Sequence, residues 1–183
     1  MIILIAGDTH TGKTLLAQKL LERLGFPYFS IDHLKIGLIR AGQTALTAES
    51  DDNALTDYLW PVVREIIKTN IENGQNLIVE GCYIPFGFAD SFEPEYLREI
   101  RYVCLAFTDH YIDACFDDIL ANKSVIEKRV SSGYITSSRM KEANSVNVEM
   151  CRRYGLNCLL VDDEYNIDRL MGSVVEAVQK LGG

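Results

Sequence analysis

Proline and tryptophan are scarce in this sequence, with four and one copies among 183 residues, and glycine is limited to 13. Apolar residues make up 48% of the chain and charged residues 24%. These shares are ordinary for a globular protein, and they exclude a collagen-like chain, low-complexity disorder and a coiled coil. The length suits one domain with a sizeable core.

Positive charge is also in short supply, because 18 Lys+Arg face 26 Asp+Glu and give a formal net charge of −8. General binding to nucleic acid or to an anionic membrane needs a basic surface, so we expect neither partner. No stretch approaches the ~20 apolar residues of a membrane span. The apolar run at residues 2–6 is too short for a signal peptide and follows no basic segment. A cytoplasmic protein is therefore predicted.

Histidine and cysteine form no metal-binding pattern. The three histidines share no spacing, and no two cysteines stand in a C-x-x-C pair. We therefore expect no transition-metal site. The five cysteines are interpreted as reduced thiols, mostly in a core; they are Cys82, Cys104, Cys115, Cys151 and Cys158.

Short apolar runs alternate with longer amphipathic segments along the whole chain. The runs predict strands at 2–6, 28–31, 77–80, 101–107 and 158–161. The segments predict helices at 15–24, 32–40, 53–72, 109–120 and 139–154, and a last helix striped from residue 167 to 181. Five apolar strands separated by helices indicate βαβ units and a parallel sheet covered on both faces.

Two residues carry predictions about helix boundaries. Pro61 lies inside the long helix predicted at 53–72, where it should kink the helix or mark a fresh start, because proline lacks the backbone donor of a helix interior. Asp109 precedes an apolar face ending near residue 120, and its carboxylate is predicted to cap that helix.

The pattern Gly-x-x-x-x-Gly-Lys-Thr follows the first predicted strand and precedes the first predicted helix. Its glycines let several backbone N–H groups turn inward, and these donors hold a polyphosphate together with the positive end of the helix. Lys13 would reach the β- and γ-phosphates, and Thr14 would offer its hydroxyl to Mg²⁺. The nucleotide-binding residues are Gly7, Asp8, Thr9, His10, Thr11, Gly12, Lys13 and Thr14.

With this loop at its start, the chain resembles the P-loop small-molecule and nucleoside-monophosphate kinases. That group includes adenylate, shikimate and gluconate kinases, the zeta-toxin-like kinases and a 2-phosphoglycerate kinase-like group. The resemblance implies an α/β, three-layer fold with a five-stranded parallel sheet in the order 2-3-1-4-5. It also implies a single domain over residues 1–183, ATP as the nucleotide, an acceptor-binding segment at about 32–60 and a lid at about 122–138.

In kinases of this kind, an acid after the second strand faces the acceptor hydroxyl and a basic residue follows. Asp32 matches the acid that orients or deprotonates the acceptor, although it would also suit a helix N-cap. Lys35 is similar to the position where adenylate kinases carry an arginine for the acceptor phosphate, but lysine loses the bidentate contact. Arg40 and Arg64 are further candidates for an anionic acceptor, or solvated surface charges.

Residues 77–81 resemble a Walker B strand, with Glu80 where aspartate is commoner. An acid at this strand end can hold a Mg²⁺-bound water, so Glu80 is a candidate for the metal or the acceptor. Either Glu80 or Asp32 could be the catalytic base. Gly81 is expected to let the acceptor approach closely, and the loop at 82–86 either walls the acceptor pocket or packs on the core.

The lid of such kinases carries arginines that neutralise charge on the transferring phosphoryl group and exclude water. Arg129 is the first candidate for this role and Arg139 the second, and for each the alternative is a solvent-facing charge. The resemblance also implies that adenine rests near the loop at 162–165.

The sequence therefore predicts an ATP- and Mg²⁺-dependent phosphotransferase that acts on the hydroxyl or phosphate of a small-molecule acceptor. One alternative is a P-loop ATPase or switch regulated by a protein partner. A second is a toxin-like kinase of a sugar nucleotide, and a third is a nucleotide-binding module without turnover.

Overall fold

The computed structural model describes residues 1–122 and 135–179. The strands are β1 at Ile2–Gly7, β2 at Tyr28–Ser30, β3 at Leu77–Glu80, β4 at Ile100–Phe107 and β5 at Cys158–Val161. The helices are α1 at Lys13–Leu24, α2 at Ile31–Arg40, α3 at Asp52–Glu72, α4 at Pro94–Leu97, α5 at Asp109–Ala121, α6 at Ser137–Tyr154 and α7 at Ile167–Gln179. A 3-10 turn covers Phe88–Ser91.

The five strands form one parallel sheet in the order β2-β3-β1-β4-β5. This order and the flanking helices confirm the α/β fold predicted from the sequence. The central strand β1 is buried along its whole length. Its residues alternate between two cores, with Ile2 and Leu4 on one face and Ile3 and Ile5 on the other. That double burial explains why the strand is apolar without interruption.

The parallel arrangement sets where polar side chains collect. The carboxyl ends of β1, β2 and β3 lie side by side, since Glu80 pairs in register with both Ile5 and Ser30. Each of these three strands runs directly into a loop or helix that carries residues predicted to be functional. The crevice beyond the carboxyl ends is the usual ligand position in such sheets.

Two of the boundary predictions need correction. No new helix starts at Pro61, because α3 continues from Asp52 to Glu72 and buries Leu59 and Val63 on either side of the proline. The other alternative, a kink at Pro61, stays a prediction. Asp109 is not the cap of α5: the Thr108 hydroxyl accepts the N–H of Tyr111 at 3.1 Å, one residue earlier than predicted. None of the helices in the described part of the chain is long and apolar enough to cross a membrane.

Asn144 connects α6 to the end of β4 from a fully buried position. Its Oδ1 accepts the N–H of Phe107 at 2.8 Å, and its Nδ2 donates to the carbonyl of Met140 at 2.8 Å. A buried strand N–H without an acceptor is costly, so this side chain completes the sheet where β4 ends.

Replacement of this amide provides a test of that connection. Asn144→Ala should lower the free energy of unfolding by about 1–3 kcal/mol, because the Phe107 N–H loses its acceptor. Asn147→Ala, on the same helix but only half-buried, is the control and should cost about 0.5 kcal/mol or less. Urea unfolding of both variants measures the difference, and equal losses would contradict this role for Asn144.

Candidate active site

The loop after β1 has the backbone of a phosphate-binding loop. Gly7, His10 and Gly12 all have positive φ, at 136°, 65° and 87°. A Cβ on Gly7 would lie 2.4 Å from the carbonyl oxygen of Leu105, so only glycine fits there. α1 begins at the next residue after Gly12, and its free N–H groups and positive dipole end face the loop.

Lys13 is held at the centre of this loop. Its Nζ donates to the backbone carbonyl of Asp8 at 2.7 Å, and the hydroxyl of Thr11 donates to the same oxygen at 2.8 Å. The lysine is only 5% exposed. The Asp8 carbonyl therefore accepts from both Thr11 and Lys13, and the Lys13 ammonium group lies inside the protein rather than in solvent.

Acidic side chains surround this buried cation. Burial lowers the pKa of Lys13, but the nearby Cys82 thiol and three carboxylates raise it by more. The carboxylates are those of Glu80, Asp32 and Asp8. The pKa of Lys13 therefore lies above its ordinary value, and the residue carries its positive charge at neutral pH. The structure thus brings together three predicted site residues from the ends of β1, β2 and β3.

Asp32 and Lys35 form the next layer, on the first turns of α2. Lys35 Nζ lies 2.8 Å from Asp32 Oδ1 and 2.8 Å from the hydroxyl of Tyr83, and it stands 4.8 Å from the centre of the Tyr83 ring. Burial lowers the pKa of Lys35, while hydrogen bonds to Asp32 and Tyr83 raise it above its ordinary value. Lys35 is 9% exposed, whereas the Asp32 side chain is 34% exposed.

The alternative role of Asp32 as a helix cap is wrong. α2 begins at Ile31, its N-cap is Ser30, and Asp32 lies in the first helical turn. The carboxylate is engaged with Lys35 instead. Tyr83 was not predicted as a site residue, because 48 residues separate it from Lys35 and no sequence spacing links them. Its loop packs on the core, as one of the two alternatives predicted, since Tyr83 is buried there while its hydroxyl accepts from Lys35. Whether the loop also walls an acceptor pocket stays a prediction.

Close packing between β3 and α2 explains why residue 81 is a glycine. A Cβ on Gly81 would lie 2.9 Å from the Cβ of Ile31, the first residue of α2. The glycine therefore lets the end of β3 and the start of α2 approach each other, beside the register pair of Glu80 and Ser30. Whether an acceptor also contacts Gly81 stays a prediction.

The other basic residues predicted for the site, where the structure describes them, lie at exposed or paired positions. Arg40 is the exposed last residue of α2, and Arg64 forms an ion pair with its neighbour Glu65 at 2.8 Å. Arg139 is exposed near the start of α6. Arg129 and most of the predicted lid lie outside the described residues.

Asp8, in the phosphate loop, has a pKa that several neighbours influence, and Arg139 is one of them. Burial raises the pKa of Asp8 above its ordinary value, while the Thr9 N–H and the charges of Lys13 and Arg139 partly oppose that rise. The charge of Asp52 adds to the rise and is a larger influence than that of Arg139, which is the smallest of these contributions.

Tyr165, in the loop after β5, packs directly on the phosphate loop. A Cβ on Gly12 would lie 2.1 Å from the Tyr165 hydroxyl oxygen, and the Tyr165 ring meets Phe107 edge-on at 6.2 Å. Burial, and then the nearby Tyr111, raises the pKa of Tyr165 to about 12. The sequence pointed to this loop at 162–165, but not to the contact with Gly12.

No protein-family model and no curated protein matches the sequence. Solved structures match nearly all of it. A gluconokinase from Sinorhizobium meliloti is 16% identical with a TM-score of 0.57, covering 98% of this chain and 91% of that chain. A shikimate kinase from Aquifex aeolicus is 14% identical with a TM-score of 0.57 and full coverage of both chains. A sugar kinase from a Janibacter species is 14% identical with a TM-score of 0.60, covering 97% and 94%. The chain therefore has the fold of these P-loop kinases.

The contact between Gly12 and Tyr165 yields a prediction about stability. Gly12→Ala should destabilise the protein through the positive φ, by about 1–2 kcal/mol, and through overlap with Tyr165, by a further ~1–3 kcal/mol. Gly25→Ala is a matched control, because Gly25 has a similar φ of 72° and nothing within 4 Å of a Cβ. Urea unfolding should show the larger loss for Gly12→Ala, and adding Tyr165→Ala should remove the excess. Equal losses for the two glycine variants would contradict the close contact.

Proposed function

We propose that this protein is an ATP- and Mg²⁺-dependent phosphotransferase that moves the γ-phosphate to a small-molecule acceptor. The observation that carries the proposal is the position of Lys13. It is a buried, charged lysine at the start of α1, with the carboxylates of Glu80 and Asp32 in electrostatic range. This combination of one fixed cation and two acids at neighbouring strand ends suits transfer of a phosphoryl group.

The phosphate loop fits a nucleotide. Its backbone has positive φ at Gly7, His10 and Gly12, a conformation that lets successive N–H groups turn inward toward an anion. Residues 7–14 would hold the phosphates of ATP, with Lys13 moving from the Asp8 carbonyl to a phosphate oxygen. ATP supplies the phosphoryl group.

Thr14 and Glu80 would hold the metal. Thr14 follows Lys13 at the start of α1, and Glu80 is 1% exposed at the end of β3. A hydroxyl and a carboxylate are oxygen ligands of the kind that Mg²⁺ prefers. Mg²⁺ supplies positive charge that stabilises the developing charge on the phosphates.

Asp32 is better placed than Glu80 to be the base. Its side chain is 34% exposed, so an acceptor hydroxyl can reach it, whereas Glu80 is enclosed. Lys35 holds the Asp32 carboxylate by an ion pair, and Lys35 in turn donates to the Tyr83 hydroxyl. Asp32 would then accept the acceptor's proton as the acceptor oxygen attacks the γ-phosphorus in line, the bond to the bridging oxygen breaks and ADP leaves. Lys35 would add one positive charge for an anionic acceptor, without the fork geometry of an arginine.

Arg139 is the described residue proposed to neutralise charge on the transferring group, since its charge is one of the influences on the pKa of Asp8 in the phosphate loop. The proposed acceptor segment at about 32–60 includes α2 and the start of α3. Arg40 and Arg64 remain candidates for contacts to the acceptor, and Arg129 remains a candidate in the proposed lid.

ADP release from Mg-ATP tests the proposed activity. The chain should release ADP slowly alone and faster with one pool of acceptors, drawn from nucleoside monophosphates, sugars, sugar acids, phosphoglycerates and sugar nucleotides. Lys13→Ala should lower the stimulated rate by about 100-fold or more, because the fixed cation at the phosphates is lost. Lys19→Ala is the control, because Lys19 lies on the outer side of α1 paired with Glu22.

The outcomes of that assay separate the alternatives. A pool-specific rate that disappears in Lys13→Ala supports a small-molecule kinase. A slow rate that no pool stimulates, and that rises only with a protein partner, favours the regulated ATPase. Failure of the unmodified chain to bind Mg-ATP would overturn the proposal.

The roles of the two acids are separable by kinetics. Asp32→Asn should lower kcat by about 10²–10⁴-fold with little change in the Mg²⁺ dependence, because the base is lost. Glu80→Gln should instead raise the Mg²⁺ concentration needed for half-maximal rate, because a ligand has lost its charge. Each variant is titrated with Mg²⁺ at saturating ATP. The reverse pattern would assign the base to Glu80.

A further inference from the structure

Three of the five cysteines meet inside the protein. Cys104 lies on β4, Cys151 near the end of α6 and Cys158 at the start of β5. Their Sγ atoms all lie within 4.8 Å of one another. The expectation of reduced thiols in a core did not foresee that the fold gathers these three into one group, here called the sulfur cluster.

The fold itself creates the sulfur cluster. Cys104 and Cys158 are register partners on neighbouring parallel strands, and such partners point to the same side of a sheet. Cys151 and Cys104 are buried in the same core, and Cys158 packs against it. A turn after α6 holds this arrangement, because the N–H of Leu156 donates to the carbonyl of Cys151 at 2.8 Å.

The spacing of the sulfurs matches the demands of a metal ion. A point equidistant from three atoms 4.8 Å apart lies about 2.8 Å from each, and a zinc–thiolate bond is about 2.3 Å. Each sulfur would therefore move by about 0.5 Å at most to bind one ion, which side-chain rotation can provide.

The donor set selects the kind of ion. Within the part of the chain that the structure describes, no histidine, aspartate or glutamate joins the three cysteines. Structural zinc sites almost always have four protein ligands, whereas soft sulfur ligands alone also suit Cu(I). Cys104 and Cys151 are buried and Cys158 is half-buried, so an ion could enter beside Cys158 and would then be screened from water.

We propose that Cys104, Cys151 and Cys158 form a binding site for one soft, thiophilic cation, with three-coordinate Cu(I) as the ion that fits best. Binding forms three metal–sulfur bonds and releases the thiol protons to solvent, with no change in oxidation state. The site is separate from Lys13 and its acids, and it stands independently of the proposed kinase function. It would join β4, β5 and the end of α6 through one ion.

Competition for Cu(I) tests the proposal. The reduced full-length chain is titrated anaerobically into the coloured Cu(I)–bicinchoninate complex, and loss of colour reports transfer of the ion. One Cu(I) per chain is expected. Cys104→Ser, Cys151→Ser and Cys158→Ser should each weaken binding by about 100-fold, because a three-ligand site has no spare ligand. Cys82→Ser and Cys115→Ser are the controls and should bind as the unmodified chain does.

If a variant fails to fold, X-ray absorption of the unmodified chain loaded with one Cu(I) still tests the proposal, because it counts the sulfur atoms bound to the copper. Three sulfur neighbours and no oxygen or nitrogen neighbour would support the site. Transfer of no Cu(I), binding that persists in all three cluster variants, binding lost in Cys82→Ser, or a copper with fewer than three sulfur neighbours would each overturn it. These readouts involve no nucleotide, so their failure leaves the proposed kinase function untouched.

Discussion

The site depends on one constraint, which is that Lys13 is a cation buried in a protein interior. Burial of an unpaired charge is very costly, so the surrounding structure must supply acceptors and opposite charge. The Asp8 carbonyl provides the acceptor, and carboxylates at the ends of β1, β2 and β3 provide the charge. In a parallel sheet the carboxyl ends of neighbouring strands lie at the same edge. The turns that follow these strands therefore bring their polar residues together around Lys13 without a long loop.

A second buried lysine, Lys35, is stabilised in the same way as Lys13. Lys35 is nearly as buried as Lys13, and it is stabilised by Asp32 and by the Tyr83 hydroxyl and ring. Asp32 acts on both lysines, because it forms an ion pair with Lys35 at 2.8 Å and its charge raises the pKa of Lys13. The carboxylate is held in one position by these neighbours, as a group that must meet a reacting atom should be.

Much of this fold follows from local sequence signals. The strand and helix pattern and the sheet order depend on periodicity and on the resemblance built around residues 7–14, and both were confirmed. Contacts between distant residues carried no such signal. The Tyr83–Lys35 bond, the Tyr165–Gly12 contact and the sulfur cluster each join residues that only the tertiary structure brings together. The cap of α5 was misplaced by one residue because Thr108 and Asp109 are both good capping types, and backbone geometry chooses between them.

The bond between Lys13 and the Asp8 carbonyl has a consequence for how readily the loop accepts an anion. The carbonyl has no formal charge, so this bond positions the ammonium group while the opposite charge comes from the carboxylates of Glu80, Asp32 and Asp8. A lysine locked to a carboxylate would first have to break a charge-assisted bond. Here an arriving anion exchanges one oxygen acceptor for a more strongly attracted one at the same nitrogen. If the proposed function holds, the loop is preorganised for capture, and little of the binding free energy is lost to rearrangement.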